Sequence, residues 1–285
     1  MAIQYFDYTK MMTEIDFYVS KYRFISVSGI CQSMLGKMIP AIMLGEGKTV
    51  VTFIGGQEGC DGISPYILIR FVRDICALYE EGGAAFGFSA ESILKNYTIV
   101  VIPMLNPDGV DYSFCGIKED NPLKERVIKL NSGSDDFSSW RGNARGIELK
   151  YNYGLQNEEN EPEPETGALC NFLKYGLKPD LLFVFSQSED NEDCLYYGEG
   201  EAENKMAIAL SQMSGMKRIY RESRKPKLML ADWSMQELKN YAFSFELSKM
   251  ICSSYKKIED KSFSYYVKIR KIFFCAPFLN KIINN

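Results

Sequence analysis

The sequence predicts an α/β fold, a mostly parallel sheet covered on both faces. Three observations carry that prediction. Short β-rich apolar runs alternate with longer amphipathic stretches along the chain. Some of the runs, such as Thr98 to Leu105, are apolar almost without a break, as strands buried on both faces are. The 285 residues are 46% hydrophobic and 13% aromatic, which is enough to fill one large core.

The first element is a helix over Tyr8 to Tyr22, where Met12, Ile15, Tyr18, Val19 and Tyr22 fall at helical spacing. Ala41 to Gly45 and Thr49 to Gly56 read as strands joined by the turn Gly45-Glu46-Gly47. Ser64-Pro65 opens a long helix through Tyr79, because proline is tolerated in the first turn, and Gly82-Gly83 closes it. Thr98 to Leu105, Leu181 to Ser186 and Ala242 to Leu247 are the buried strands. A helix begins at Glu165-Thr166, after Pro162 and Pro164, and another runs from Ala202 to Met213, ended by Gly215. Residues 112–139 and 154–164 are polar and predict irregular loops of the kind that shape binding sites.

The domain expectation is one unit over residues 1–250, followed by a basic and aromatic segment, 251–285, packed on it as a last helix. A membrane-surface or partner-binding helix is the alternative for that segment. The net charge of -4 argues against nucleic acid, since phosphate binding needs concentrated positive charge. No stretch reaches the ~18 apolar residues of a transmembrane span. The start of the chain lacks a signal-peptide pattern, and the eight scattered cysteines contain no CxxC pair. The expectation is a cytoplasmic protein with reduced thiols. Its oligomeric state is left open.

Ligands of open α/β sheets sit outside the carboxyl ends of the strands. Those ends carry Gln57-Glu58-Gly59-Cys60-Asp61, Asn106-Pro107-Asp108-Gly109, Ser186-Gln187-Ser188-Glu189 and Glu246. Carboxylates and amides therefore converge on one region. Cys60 has no histidine to act as its base, because the chain contains none, and it reads as an inert thiol.

Several segments, in order, are similar to motifs of the zinc carboxypeptidases, the family of carboxypeptidase A and the γ-D-glutamyl diamino-acid peptidases. Ser33-Met34-Leu35-Gly36-Lys37-Met38-Ile39-Pro40 resembles its S-x-x-G-K/R-x-I stretch. Phe53 to Gly56 with Ile63 to Phe71 resembles the strand and helix around its first metal motif. Met104 to Asp111 resembles its strand-end motif, and Trp140 to Leu149 its W-K/R-x-N-x-x-G-V-D-L run. Glu163-Pro164-Glu165-Thr166 and Phe243 to Leu247 resemble E-P-E-T and F-T-I-E-V/L.

The resemblance implies a three-layer α/β/α sandwich around a mixed, mostly parallel sheet, and a zinc held by an H-x-x-E motif and a later histidine, with a glutamate as general base and an arginine on the oxyanion. Carried onto this chain, Glu58 stands at the first histidine and Asp61 at the metal-binding glutamate. Counting from one side puts the third ligand at Ser186, and from the other at Glu189; both stay open, with Glu189 carried as the candidate. Lys150 and Tyr151 stand at the carboxylate-binding pair, with Asn106 as a further substrate-binding candidate. Glu246 stands at the general base and Arg141 at the oxyanion position.

With every histidine missing, the first expectation is no cofactor: either an empty site or a cluster in which Lys150 or Arg141 neutralises the acids. An oxygen-ligated Mg²⁺, Mn²⁺ or Ca²⁺ comes second, and residual zinc third. The corresponding functions are a pseudopeptidase that binds a peptide or peptidoglycan-type peptide, an active metallocarboxypeptidase with unusual ligands, and a structural protein that keeps only the fold.

Overall fold

The computed structural model describes residues 6–154, 161–188, 192–221, 228–248 and 255–280, with side chains of the last stretch described from Ser262 onward. Helix α1 (Tyr8–Lys21) is followed by strands β1 (Ile25–Gln32), β2 (Met38–Leu44) and β3 (Thr49–Ile54). Helix α2 (Ile63–Glu80) leads to a small hairpin, β4 (Ala84–Ala85) with β5 (Phe88–Ser89), then to α3 (Ala90–Asn96) and β6 (Tyr97–Ile102). Helices α4 (Pro107–Cys115), α5 (Lys124–Leu130) and α6 (Pro164–Asn171) precede β7 (Leu181–Gln187) and β8 (Cys194–Tyr197). The chain continues through α7 (Glu201–Ser214), β9 (Lys217–Tyr220), α8 (Leu230–Leu238), β10 (Tyr241–Leu247) and α9 (Tyr255–Cys275).

The main sheet has eight strands in the order β1-β2-β6-β3-β7-β10-β8-β9. Its centre, β6-β3-β7-β10, is parallel throughout, while β1, β2 and β8 supply the antiparallel pairs. Alternate residues of the central strands bury opposite faces, as the two-residue period dictates. One face sets Phe53, Phe183, Phe185, Phe243 and Phe245 against α1, α2, α7 and α9. The other sets Ile54, Val100, Ile102, Leu182, Val184 and Ala242 against α6 and α8. The sheet is thus the middle layer of an α/β/α sandwich. Helix α9 joins the first face directly, its Phe273 ring lying 5.0 Å from Phe71 and 5.2 Å from Phe53.

The structure departs from the sequence reading in three places. The strand expected to run to Leu105 stops at Ile102, because Pro103 has no N–H for the ladder and the chain turns into α4. Residues 112–139 are not uniformly irregular, since α4 reaches Cys115 and α5 forms around the buried Val127. The edge strands β1 and β9 escape the periodicity argument because they mix exposed polar and half-buried residues, and the four-residue β8 is too short to show a period.

Two of the sequence motifs turn out to be structural partners. Lys37, in the turn between β1 and β2, places its ammonium 2.7 Å from Asp111, 3.1 Å from the Pro107 carbonyl and 3.3 Å from Asp108. Asp108 in turn accepts the Leu35 N–H at 3.0 Å. The Ser33–Pro40 segment therefore pins the start of α4, and with it the loop that follows β6.

Candidate active site

Because β6, β3, β7 and β10 are parallel, their carboxyl ends open on one edge of the sheet. Glu58 follows β3, Asn106 follows β6, and Glu246 stands near the end of β10 in register with Ser186 of β7. The loop that carries Trp140 to Asn143 closes over them. Glycine makes that closure possible: a Cβ on Gly59 would lie 2.7 Å from the carbonyl oxygens of Gly109 and Trp140. The Gly59 N–H donates to the Arg141 carbonyl at 3.2 Å.

At the centre, Glu58 is fully buried and its Oε1 is ion-paired to the Arg141 guanidinium. Arg141 keeps 24% of its side chain exposed and also lies 3.8 Å from Glu148. Lys150, in a 3-10 turn over Leu149–Tyr151, is fully buried. Its Nζ lies 2.8 Å from Glu246 Oε1 and 4.0 Å from Glu58 Oε2. The contact with Glu246 is a charge-assisted pair at hydrogen-bonding distance. Tyr151 sets its ring 5.5 Å from the same ammonium. Two acids and two cations thus meet in one buried cluster.

Burial pushes the Glu58 carboxyl up to about 7, against the opposing pull of Lys150 and Arg141. Burial alone would depress the Lys150 ammonium, but Glu58 and Glu246 outweigh it and its pKa is raised. A carboxyl raised in the folded state holds its proton more tightly there than in the unfolded chain. Its contribution to stability is therefore full below 4.5 and is lost as the pH rises through about 7. Wild type should accordingly lose on the order of 3 kcal/mol relative to Glu58→Gln across that window. Urea unfolding of both proteins at several pH values measures the difference; parallel pH profiles would refute it.

Asp61 is also fully buried, but its oxygens face another way. They accept the Ile63 N–H at 3.2 Å, the Ser64 N–H at 3.0 Å and the Ser64 hydroxyl, which itself accepts the Gly56 N–H at 2.8 Å. Asp61 thereby satisfies the first turn of α2, the task that orphan N–H groups at a helix start require. Asn106 is fully buried too; its amide donates to the carbonyls of Gln57 and Gly142 and accepts the Gly109 N–H. It ties three loops together beneath the cluster. Of the two candidates for the third metal position, Ser186 is buried on β7, and Glu189 lies outside the described residues.

Motif reading alone does not supply every partner. The Tyr153 hydroxyl donates to Gln57 Oε1 at 2.7 Å, fixing the chain just beyond Lys150 to the loop after β3. Asn143 donates to Glu163 at 2.9 Å, and Arg145 pairs with the same carboxylate. The Trp140–Leu149 and Glu163–Thr166 motifs are therefore each other's partners. Only their side-chain complementarity, an amide and a guanidinium against an acid, hints at this in the sequence.

The zinc that the resemblance implies finds no suitable donor set among the described residues. Histidine is absent from the chain. Among the described residues, no three Cys, Asp or Glu side chains come together so as to hold a metal ion. Glu58 is turned onto two cations and Asp61 onto a helix start. Glu58 and Asp61, the described acids at the family's metal positions, are thus engaged elsewhere and do not fit the ion.

Comparison with known proteins supplies the family. The family model described as zinc carboxypeptidase matches residues 13–205. The γ-D-glutamyl-L-diamino acid endopeptidase 1 of Lysinibacillus sphaericus is 29% identical over 164 residues, 57% of this chain and 41% of that protein. Human carboxypeptidase D is 25% identical over 133 residues, 45% of this chain and 9% of that protein. The aligned region thus spans less than half the length of these relatives. The crystal structure of thrombin activatable fibrinolysis inhibitor superposes with a TM-score of 0.72 at 15% identity, covering 99% of this chain and 75% of the other. A metallo-carboxypeptidase from Burkholderia cenocepacia gives 0.68 at 13% identity, covering 96% and 70%. The two structures share the fold, and the family match covers well over half of the residues: the chain belongs to the zinc carboxypeptidase family.

Proposed function

We propose that this protein is a degenerate member of its family, one that keeps a peptide-binding cleft and does not hydrolyse peptides through a histidine-ligated zinc. The observation that carries the reading is the Lys150 ammonium, 2.8 Å from Glu246 and 4.0 Å from Glu58. In this reading, Glu246 is engaged by a buried cation and has no metal-activated water beside it, so it lacks the partner a general base needs. An active enzyme using Glu58 and Asp61 as oxygen ligands fits less well, because both carboxylates already have other partners. Asn106 and Asp61 serve as scaffold, and Arg141 and Tyr151, the partly exposed members of the cluster, form the cleft wall.

The ligand proposed is a cell-wall type peptide, on the similarity to an endopeptidase of γ-D-glutamyl-L-diamino acid peptides. With Lys150 and Tyr151 at the carboxylate-binding pair and Lys150 held by acids, recognition runs along the peptide rather than through its terminal carboxylate. Nucleic acid is not part of the reading. No helix among the described residues is long and apolar enough to cross a membrane. The described cysteines form no disulfide, which suits the reducing cytoplasm.

Calorimetry with a γ-D-glutamyl-diamino-acid tripeptide, followed by chromatography of the same mixture, tests the proposal. Binding without cleavage is expected, weakened about tenfold by Arg141→Ala, a loss of ~1.4 kcal/mol. Cleavage that a chelator abolishes would refute it, and unchanged binding by Arg141→Ala would remove the cleft from Arg141.

A further inference from the structure

We propose that Lys150 is a tethered cation, whose ammonium performs from within the chain the charge-balancing task of an ion held between Glu58 and Glu246. The two glutamates come from different strand ends and are 0% and 7% exposed. Two buried carboxylates in one pocket repel unless a cation lies close to both. Arg141 takes Oε1 of Glu58 and leaves Oε2 facing Lys150. Lys150 reaches both acids from a third element, the turn over Leu149–Tyr151.

The form of the contact supports this assignment. Lys150 Nζ lies 2.8 Å from Glu246 Oε1, within donating distance, and 4.0 Å from Glu58 Oε2, so one ammonium faces both acids. The ammonium is a compact charge held against two carboxylates, the position a hard cation would take between them. A lysine with its whole side chain buried serves no solvation purpose, and its desolvation is offset chiefly by the acids it reaches. Cutting the side chain back to a methyl group would leave a pocket lined by oxygens and open to a small ammonium or a divalent ion. The proposal shares with the preceding reading the premise that zinc does not sit here, but it needs no peptide ligand.

The test compares thermal melts of wild type and Lys150→Ala in propylammonium chloride, in 1-propanol, in manganese(II) chloride and in EDTA. Lys150→Ala should melt roughly 10 °C below wild type. Propylammonium should recover half of that loss or more, while 1-propanol should not. The recovery should vanish in Lys150→Ala/Glu246→Gln, and wild type should melt alike with manganese and with EDTA. Equal recovery by 1-propanol would show that Lys150 merely fills space. An unshifted Lys150→Ala, or a wild type stabilised by manganese and destabilised by EDTA, would also overturn the proposal. If Lys150→Ala does not fold, Lys150→Ala/Glu246→Gln decides: recovered folding supports charge balance, and failure to fold overturns it. A wild type that binds no peptide would sink the cleft reading and leave these melts untouched.

Discussion

Replacing Lys150 by methionine is expected to lower the stability of the protein by about 3–5 kcal/mol. Methionine keeps most of the volume, so little of the loss would come from a cavity. The loss would instead come from charge. Lys150 is fully buried beside Glu246 and Glu58, and its removal leaves Arg141 as the cation paired with Glu58 and Glu246 without its ion pair. Breaking a buried pair by deleting one partner is far more harmful than deleting both. The double variant Lys150→Met/Glu246→Gln should therefore recover at least ~1 kcal/mol relative to the sum of the single losses. Denaturant melts of the four proteins measure this coupling. Additive single effects would mean that Lys150 and Glu246 do not sense each other.

Asp61→Ala is expected to cost about 2–4 kcal/mol while leaving metal content unchanged. Its carboxylate accepts two backbone N–H groups and the Ser64 hydroxyl at the start of α2, all in a buried setting. Deleting it orphans those donors where water does not reach them. Asp61→Asn, which can still accept, should lose less than half as much. Chemical denaturation checks the size and elemental analysis the metal. A drop in bound metal on Asp61→Ala, with stability preserved, would make Asp61 a ligand rather than a helix cap.

The central layers of this fold were legible because their physics is local. The strands β3, β7 and β10 are mostly apolar, as strands covered on both faces are. Helix α2 announces its start with Ser64-Pro65 and its end with Gly82-Gly83. Strands β8 and β9 were hidden because each is four residues long and takes its pairing from a neighbour distant in sequence. In the site, the convergence of Glu58, Asn106 and Glu246 followed from their positions at parallel strand ends. Their division of labour did not. Asp61 and Glu58 are both fully buried carboxylates three residues apart, yet one caps a helix and the other faces two cations. Only the direction of each side chain separates them. Likewise, nothing near Lys150 in sequence says that its ammonium reaches β10, because that contact spans about a third of the chain.

The most direct measurement is the metal content of the protein purified without chelators, counted per chain by elemental analysis. Far less than one zinc, manganese, magnesium or calcium ion per chain is the predicted result, because Lys150 and Arg141 already balance Glu58 and Glu246. About one ion per chain, lost when Glu58 is replaced, would contradict the account at its centre.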